Sequence, residues 1–267
     1  MKLKKWHIWL GFAISAVFLY LAFREVDFSQ VWSYLTHAQW SWVLLGLVFY
    51  FIGVWLRAFR WQILLNPLKK LSIPRLFQVV AIGYMGNNVY PARAGELLRA
   101  VLLKQKDQIS ISASLATIVV ERLFDALVIM GLVLLNLSQL TALPSAQSYV
   151  GAIRAVATWG AVIFLALFAL FLALVLFPKP TQKAMDWVIN HLVIARLRKG
   201  ISDFITRFIE GLSSLRSAGE TLKVLLFSIA IWTCETGLYW GVMKAMGIRL
   251  SFMSLMLING VVNLVLL

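Results

Sequence analysis

The stretch Gly86–Ala100 reads GNNVYPARAGELLRA and decides how the chain is expected to fold. Glycine, asparagine and proline interrupt an apolar segment here, and Gly86 and Pro91 are the strongest helix breakers. A helical pattern resumes at Gly95, and basic residues flank the segment on both sides. These features predict a re-entrant hairpin of two short helices over residues 74–106, which enters and leaves a membrane on the same side. The alternative is an ordinary spanning helix with a proline kink.

The sequence around this segment is too apolar for a water-soluble protein. Of its 267 residues, 61% are hydrophobic and 13% are charged, and the mean hydropathy is +0.84. Soluble domains carry about 25% charged residues, and a spanning helix needs ~20 mostly apolar residues. Suitable runs are Trp6–Phe23, Trp40–Leu56, Ile109–Leu137, Ala155–Phe177, Val224–Met243 and Leu250–Leu267. They predict an all-α polytopic membrane protein with about six transmembrane helices in one domain, residues 1–267.

The charges indicate how these helices are oriented. Lys and Arg number 25 against 11 Asp and Glu, which gives a formal net charge of +14. Nucleic-acid binding would explain such an excess in a soluble protein, but cytoplasmic loops and anionic headgroups explain it here. Twenty of the 25 basic residues lie in the ranges 1–5, 57–75, 93–106 and 179–223. The positive-inside rule therefore predicts a multi-pass protein of the cell membrane with a cytoplasmic N-terminus.

Residues 181–216 have the pattern of an amphipathic helix. Apolar residues recur at helical spacing from Leu197 to Leu215, and basic residues occupy the other face. This composition predicts a cytoplasmic helix that lies in the membrane interface and contacts anionic lipids. Gly200 and Gly211 are the positions at which such a helix can break.

The residues that usually carry metal or redox chemistry are few. Cys234 is the only cysteine, and His7, His37 and His191 are scattered along the chain. A disulfide framework is therefore excluded, and no metal-ligand spacing exists. Since the chain also lacks a nucleotide-binding loop and a nucleophile–base pair, we expect no metal, no cofactor and no covalent catalysis.

The hairpin offers groups that suit a lipid phosphate. A half-helix that begins near Gly95 would point the positive end of its dipole into the membrane, where Arg93 lies beside it. The predicted phosphate-binding residues are Asn87, Asn88, Arg93, Gly95 and Arg99. The alternative is that these polar groups only satisfy one another and hold the hairpin together.

Three further charges lie inside the apolar run 109–137. Glu121 and Asp125 share a helix face, and Arg122 is spaced to pair with Asp125. Together with the hairpin they form a neutral set of Arg93, Arg99, Arg122, Glu96, Glu121 and Asp125. Buried charges persist only when paired, so we predict one network between hairpin and helix. Such a network is either purely structural or able to release an arginine to a lipid phosphate.

Glu235 is the remaining acid within an apolar run, and no basic residue lies within one helical turn of it. It is therefore protonated, paired across helices, or part of a proton path. The last of these would make Glu235 a residue for proton coupling.

Two motifs carry a family resemblance: Asn87-Asn88-x-x-Pro91-x-Arg93-x-Gly95-Glu96-x-x-Arg99, followed by Glu121-Arg122-x-x-Asp125. They resemble the signature of the lysylphosphatidylglycerol synthase transmembrane-region family. This family is also called flippase-like and includes the flippase domain of bacterial multiple peptide resistance factors. The resemblance implies a lipid flippase, which moves an aminoacylated or otherwise modified phospholipid, or a related polyprenyl-type lipid, between leaflets.

The chain departs from the family pattern in two ways. Members usually continue into a second Pro/Gly-rich hairpin, whereas this chain ends at Leu267 within an apolar run, so we expect a C-terminal truncation. No soluble aminoacyl-transferase domain is present, so we expect no synthase activity. The alternative function is the transmembrane part or accessory of a lipid-modifying transferase, either lysylphosphatidylglycerol synthase-like or associated with a glycosyltransferase. The expected partners are anionic or aminoacylated phospholipids and, for the alternative, a separate lipid-modifying enzyme.

Overall fold

The computed structural model describes residues 16–24, 26–90, 94–136, 150–192 and 194–266, and the regular structure of these residues is helical. Residues 16–23 belong to the first helix, α1. The following helices are α2 (Phe28–His37), α3 (Trp40–Leu65), α4 (Ile73–Val89), α5 (Gly95–Asp107), α6 (Ile111–Asn136), α7 (Val150–Leu176), α8 (Pro178–Leu192), α9 (Ala195–Gly211), α10 (Ala218–Ala245) and α11 (Phe252–Leu266). A short 3₁₀ turn, Ser213–Arg216, joins α9 to α10.

Three helices among the described residues are long and apolar enough to cross a membrane. They are Trp40–Leu65 (α3), Thr158–Leu176 within α7, and Ala218–Ala245 (α10). Helix α6 has 26 residues, ~39 Å of helix, but it carries three charges. The predicted all-helical membrane architecture is therefore confirmed, whereas the number of spans and the re-entrant course of the hairpin remain predictions.

Helices α3 and α10 approach each other through glycines. A Cβ atom added to Gly241 would lie 2.7 Å from the carbonyl oxygen of Trp42 and 2.9 Å from the Cα atom of Gly46. One turn earlier on α10, a Cβ atom on Gly237 would lie 2.8 Å from the ring of Phe49. Small residues allow this close backbone approach, which stabilises helix pairs in membranes by van der Waals contact.

The end of α3 corrects one expectation. The sequence predicts that this span ends at Leu56 and that Arg57 and Arg60 begin a basic segment in or towards the cytoplasm. Instead the helix continues to Leu65, and Arg60 is only 1% exposed. The helix extends past the predicted end because both arginines have acidic partners on neighbouring helices, so their charges are neutralised within the bundle.

Helices α4 and α5 pack antiparallel. Where α4 begins and α5 ends, Arg75 Nη2 lies 3.2 Å from Asp107 Oδ2. At the opposite end, a Cβ atom on Gly86 would lie 3.0 Å from the Cα atom of Gly95. The chain therefore turns back on itself between Val89 and Gly95. Residues 91–93, which include the predicted breaker Pro91, lie outside the described residues.

The segment 181–216 is not one helix. It divides into α8, α9 and the 3₁₀ turn, and Ile194 between α8 and α9 has an extended ψ of 134°. Gly200 lies within α9, whereas α9 ends at Gly211. Gly211 packs against the backbone of Ala113 on α6, and this close approach leaves no room for a side chain. The helix therefore ends at Gly211, one of the two predicted break positions. The other break lies at Ile194, six residues before the predicted position Gly200.

Candidate functional site

The centre of the candidate site is a buried contact between α3 and α6. Arg60 Nη1 lies 2.5 Å from Asp125 Oδ1, and Arg60 Nη2 lies 3.2 Å from Asp125 Oδ2. Arg60 Nη2 is also 3.7 Å from Glu121 Oε1. The forked contact of a guanidinium with a carboxylate is stronger and more specific than a hydrogen bond between neutral groups. One arginine therefore holds both acids of α6 in place.

Helix α5 adds Arg99 to this contact. Arg99 Nη2 lies 2.9 Å from Glu121 Oε2, but the two groups are not aligned as a hydrogen bond, so the attraction is mainly between charges. The Arg99 guanidinium also stacks over the ring of Trp61, 3.9 Å from its centroid. Arg99 is buried and engaged on both sides, which ties the hairpin to α3 and α6.

The network opens towards its surroundings at Arg122. Arg122 Nε lies 3.2 Å from Glu96 Oε1, and Arg122 Nη2 lies 3.9 Å from Asp125 Oδ2. The side chains of Arg122 and Glu96 are 35% and 26% exposed, whereas those of Arg60 and Glu121 are each 1% exposed. The Arg122–Glu96 pair is therefore the accessible end of an otherwise buried set of charges.

Six side chains form this connected set, which we call the charge network: Arg60, Arg99, Arg122, Glu96, Glu121 and Asp125. Its formal charge is zero, as buried charges in a membrane require. Helix α10 supports it with two hydrogen bonds. Trp232 Nε1 donates to Asp125 Oδ1 at 3.1 Å, and Arg60 Nη1 donates to Ser228 Oγ at 2.7 Å.

Five of the six residues predicted to share a network thus lie in the charge network. The sixth, Arg93, lies outside the described residues. Arg60 is the member that sequence reasoning missed, together with its supports Ser228 and Trp232 on α10. Ser228 lies 168 residues from Arg60 in the sequence, and Trp232 lies 107 residues from Asp125. No local spacing in the sequence could therefore reveal these contacts.

Glu235 pairs across helices. Its Oε2 atom accepts a hydrogen bond from Arg57 Nη2 at 2.6 Å. The Arg57 guanidinium also lies 5.5 Å from the centroid of the Tyr84 ring on α4. The sequence left three possibilities for Glu235, and the structure contains the pair across helices. The side chains of Arg57 and Glu235 are 14% and 26% exposed.

The tip of the hairpin is held by its own polar groups. Asn87 Oδ1 accepts a hydrogen bond from the Gly95 backbone N–H at 2.9 Å. The Gly95 N–H was predicted to bind a lipid phosphate, but it already donates its hydrogen bond within the hairpin. Asn88 instead borders a cavity of about 390 Å³ between α3 and α4, which Tyr84 also lines.

The family model of the lysylphosphatidylglycerol synthase transmembrane (TM) region matches residues 8–267, which include both motifs and the whole charge network. The chain belongs to this family. The resemblance seen in the hairpin and α6 motifs is thereby confirmed, and it extends over almost the full sequence.

Two relatives of this family member have been found. A protein named glycosyltransferase AglD from Haloferax volcanii is 33% identical over 123 residues, which are 46% of this chain and 20% of that protein. A UPF0104 membrane protein from Methanothermobacter thermautotrophicus is 24% identical over 268 residues, 95% of this chain and 75% of that protein. The chain thus spans only a fifth of the glycosyltransferase's length. No solved structure matches the chain.

The described part of this family member contains no group of three His, Cys, Asp or Glu side chains that could hold a metal ion. Its ionisable groups are instead arranged as arginine–carboxylate contacts. Such contacts can bind an anion or a cation by exchanging partners, since each guanidinium and each carboxylate suits the opposite charge on a ligand.

Proposed function

We propose that this protein binds the headgroup of a phospholipid at the Arg122–Glu96 pair and moves the lipid between membrane leaflets. The observation that carries the proposal is a neutral charge network inside an apolar helix bundle, with one partly exposed ion pair. Ionisable groups within membranes are expensive to keep there and usually mark a path for a polar substrate.

Arg122 is the arginine best placed to receive the lipid phosphate. Arg99 is buried between Glu121 and Trp61, whereas Arg122 has a partly exposed partner, Glu96, that a ligand can displace. A phosphate offers oxygens that fit the planar guanidinium fork. The predicted contributions of Arg93, Asn87, Asn88 and Gly95 to phosphate binding remain part of the proposal.

Charge balance favours a headgroup that carries an ammonium group, as an aminoacylated phospholipid does. When a phosphate takes Arg122, Glu96 loses its partner and would leave a negative charge in a region of low dielectric. An ammonium group on the same lipid would pair with Glu96 and keep the set neutral. A purely anionic lipid has no such group, so Glu96 would have to take up a proton to keep the set neutral. Lipid movement would then be coupled to proton uptake, and Glu235 is a second acid that could take part in this coupling.

The hairpin geometry supports the re-entrant course. Lys69 Nζ donates a hydrogen bond to the Asp107 carbonyl oxygen at 2.9 Å, so the chain before α4 lies next to the chain after α5. Both ends of the hairpin would then lie on one side of the membrane. With the basic segments on that side, we propose that this side and the N-terminus are cytoplasmic.

The experiment is reconstitution of the purified protein into liposomes with fluorescent phospholipids that differ only in headgroup. A membrane-impermeant quencher added outside reports the fraction of lipid in the outer leaflet over time. Accelerated exchange of an aminoacylated phospholipid relative to protein-free liposomes supports the proposal. Exchange at the protein-free rate for every headgroup tested would reject it.

The second candidate function is a membrane part or accessory of a lipid-modifying transferase. It is favoured by the local identity to a protein named as a glycosyltransferase. In this case the protein would bind lipid without moving it between leaflets. A modified headgroup that forms only when a separate transferase is added, without leaflet exchange, would identify this function.

A further inference from the structure

Helix α2 is short and lies entirely on the surface of the described structure. It has ten residues and none of them is buried. Its large apolar side chains are all exposed, and Trp32 is 69% exposed. An isolated helix this short is marginal in water, so it requires an apolar surface against which to pack.

The exposed residues form one stripe. Phe28, Val31, Trp32 and Leu35 follow the spacing i, i+3, i+4, i+7, which places them on a single helix face with Tyr34 at its edge. The other face consists of Ser29, Gln30, Ser33, Thr36 and His37. The helix contains no Lys, Arg, Asp or Glu. It is therefore amphipathic without being charged.

Both ends of α2 are attached to helices of the membrane bundle. The Phe23 and Phe28 rings, at 5.9 Å between centroids, join the start of α2 to α1. Beyond its other end, the Gln39 backbone N–H donates to the Ala245 carbonyl oxygen at 3.0 Å, where α3 begins and α10 ends. The helix is thus held where the chain leaves the bundle and re-enters it.

This position lies at the opposite end of the bundle from the hairpin base. Helix α3 runs from Trp40, beside α2, to Leu65, shortly before Lys69 and the base of the hairpin. Its 26 residues span ~39 Å, about the full thickness of a bilayer. Helix α2 is therefore at the other membrane surface from the basic segments.

We propose that α2 lies flat in the headgroup region of that leaflet, with the Phe28–Val31–Trp32–Leu35 stripe turned into the acyl chains. Trp and Tyr are enriched at this depth because their rings are apolar and their N–H or O–H groups are polar. Since α2 carries no charge, its lipid contact does not depend on anionic headgroups. In this respect it differs from the basic helix α9.

Site-directed spin labelling of the full chain in neutral phosphatidylcholine vesicles tests this placement. In a Cys234→Ser background, single labels are introduced at Leu35 on the stripe and at Gln30 on the polar face, and a second pair at Trp32 and Ser33 guards against one poorly folding variant. Collision rates are measured with oxygen, which concentrates in the acyl chains, and with a water-soluble nickel chelate. We expect labels on the stripe to favour oxygen several-fold over labels on the polar face.

The expected difference should persist unchanged when anionic lipid is added to the vesicles. Equal exposure of both faces to the nickel chelate would overturn the proposal, because the helix would then lie in water. Spin–spin broadening at Leu35 that disappears on dilution with unlabelled protein would also overturn it, since a second copy of the chain would then cover the stripe.

Discussion

Arg60 Nη1 on α3 lies 2.5 Å from Asp125 Oδ1 on α6, although 65 residues separate them in the sequence. The two side chains are 1% and 5% exposed. Because Arg60 also contacts Glu121, one guanidinium lies between two carboxylates in the bundle interior. This contact is the structural centre of the charge network.

Loss of Arg60 should strongly destabilise the protein. Arg60→Gln leaves Glu121 and Asp125 with less positive charge than they require, and removal of one partner of a buried pair costs about 3–5 kcal/mol in soluble proteins. We expect a clear fall in the midpoint of thermal unfolding in detergent.

The double variant Arg60→Gln/Asp125→Asn provides the control. It restores a neutral network of Arg99, Arg122, Glu96 and Glu121, so it should be more stable than Arg60→Gln alone. Strictly additive effects of the two substitutions would show that Arg60 and Asp125 do not interact.

The sequence reveals the local part of this site and misses the part made by distant contacts. The spacing of Glu121, Arg122 and Asp125 on one helix, and the helix breakers near Gly95, are local patterns that can be recognised directly. Arg60 follows an apolar run and so has the pattern of a basic residue at the end of a span. Only the packing of α3 against α6 and α10 shows that it is buried.

A methyl group on Gly95 should open the tip of the hairpin. The Cβ atom of Gly95→Ala would lie 2.6 Å from Asn87 Oδ1 and 2.7 Å from the Asn87 backbone nitrogen, distances that require the helices to separate. We expect a lower unfolding midpoint. Gly131→Ala on α6 is the matched control, because its Cβ atom would meet nothing within 4 Å. It should leave stability unchanged or raise it by up to about 1 kcal/mol, the helix preference of Ala over Gly. Equal midpoints for the two variants would contradict the tight hairpin.

Both ends of the hairpin should be reached from the same side of the membrane. In a Cys234→Ser background, single cysteines at Lys69 and Lys106 should react with an impermeant maleimide only when the cytoplasmic side is open. A cysteine at Ser29 in α2 should react only from the other side. Labelling of Lys69 and Lys106 from opposite sides would show that segment 74–106 spans the membrane.

Acid should loosen α2 at its start. Asp27 Oδ1 accepts hydrogen bonds from the Ser29 hydroxyl and from the Ser29 and Gln30 backbone N–H groups, and these bonds, the hydroxyl's first, hold the pKa of Asp27 below its ordinary value of 3.8. The ionised carboxylate is therefore the better cap. Its contribution to the stability of α2 is present above pH 3.8 and is lost as the pH falls through the lowered pKa. A spin label at Leu35 should gain mobility over that acidic range. Asp27→Asn retains a capping oxygen without titrating, so it should show no such change. The same transition in Asp27→Asn would assign the effect to another group.

Two further features were not predicted from the sequence, for different reasons. Arg57 and Glu235 pair although 178 residues separate them, so neither residue has a local sign of its partner. Residues 28–37 are too few for a span and uncharged, and no helix was predicted there, yet capping by Asp27 begins one. For Arg57 and Glu235 the missing information is the packing of α3 against α10, whereas the Asp27 cap and the apolar spacing of α2 are local signals that the sequence does contain.

The most direct test of the proposed lipid site compares Arg122→Lys with Arg207→Lys in the leaflet-exchange assay. Arg207 is an exposed arginine on α9, away from the charge network, so it controls for loss of a guanidinium as such. Lysine keeps the charge at position 122 but cannot make the planar, two-point contact with a phosphate. Because hydrogen bonds to charged groups contribute about 1.5–3 kcal/mol, we predict that Arg122→Lys slows exchange roughly tenfold or more. Arg207→Lys should exchange lipid at the wild-type rate. An Arg122→Lys protein with wild-type stability that still moves the lipid at the wild-type rate would contradict the role of the charge network in lipid movement.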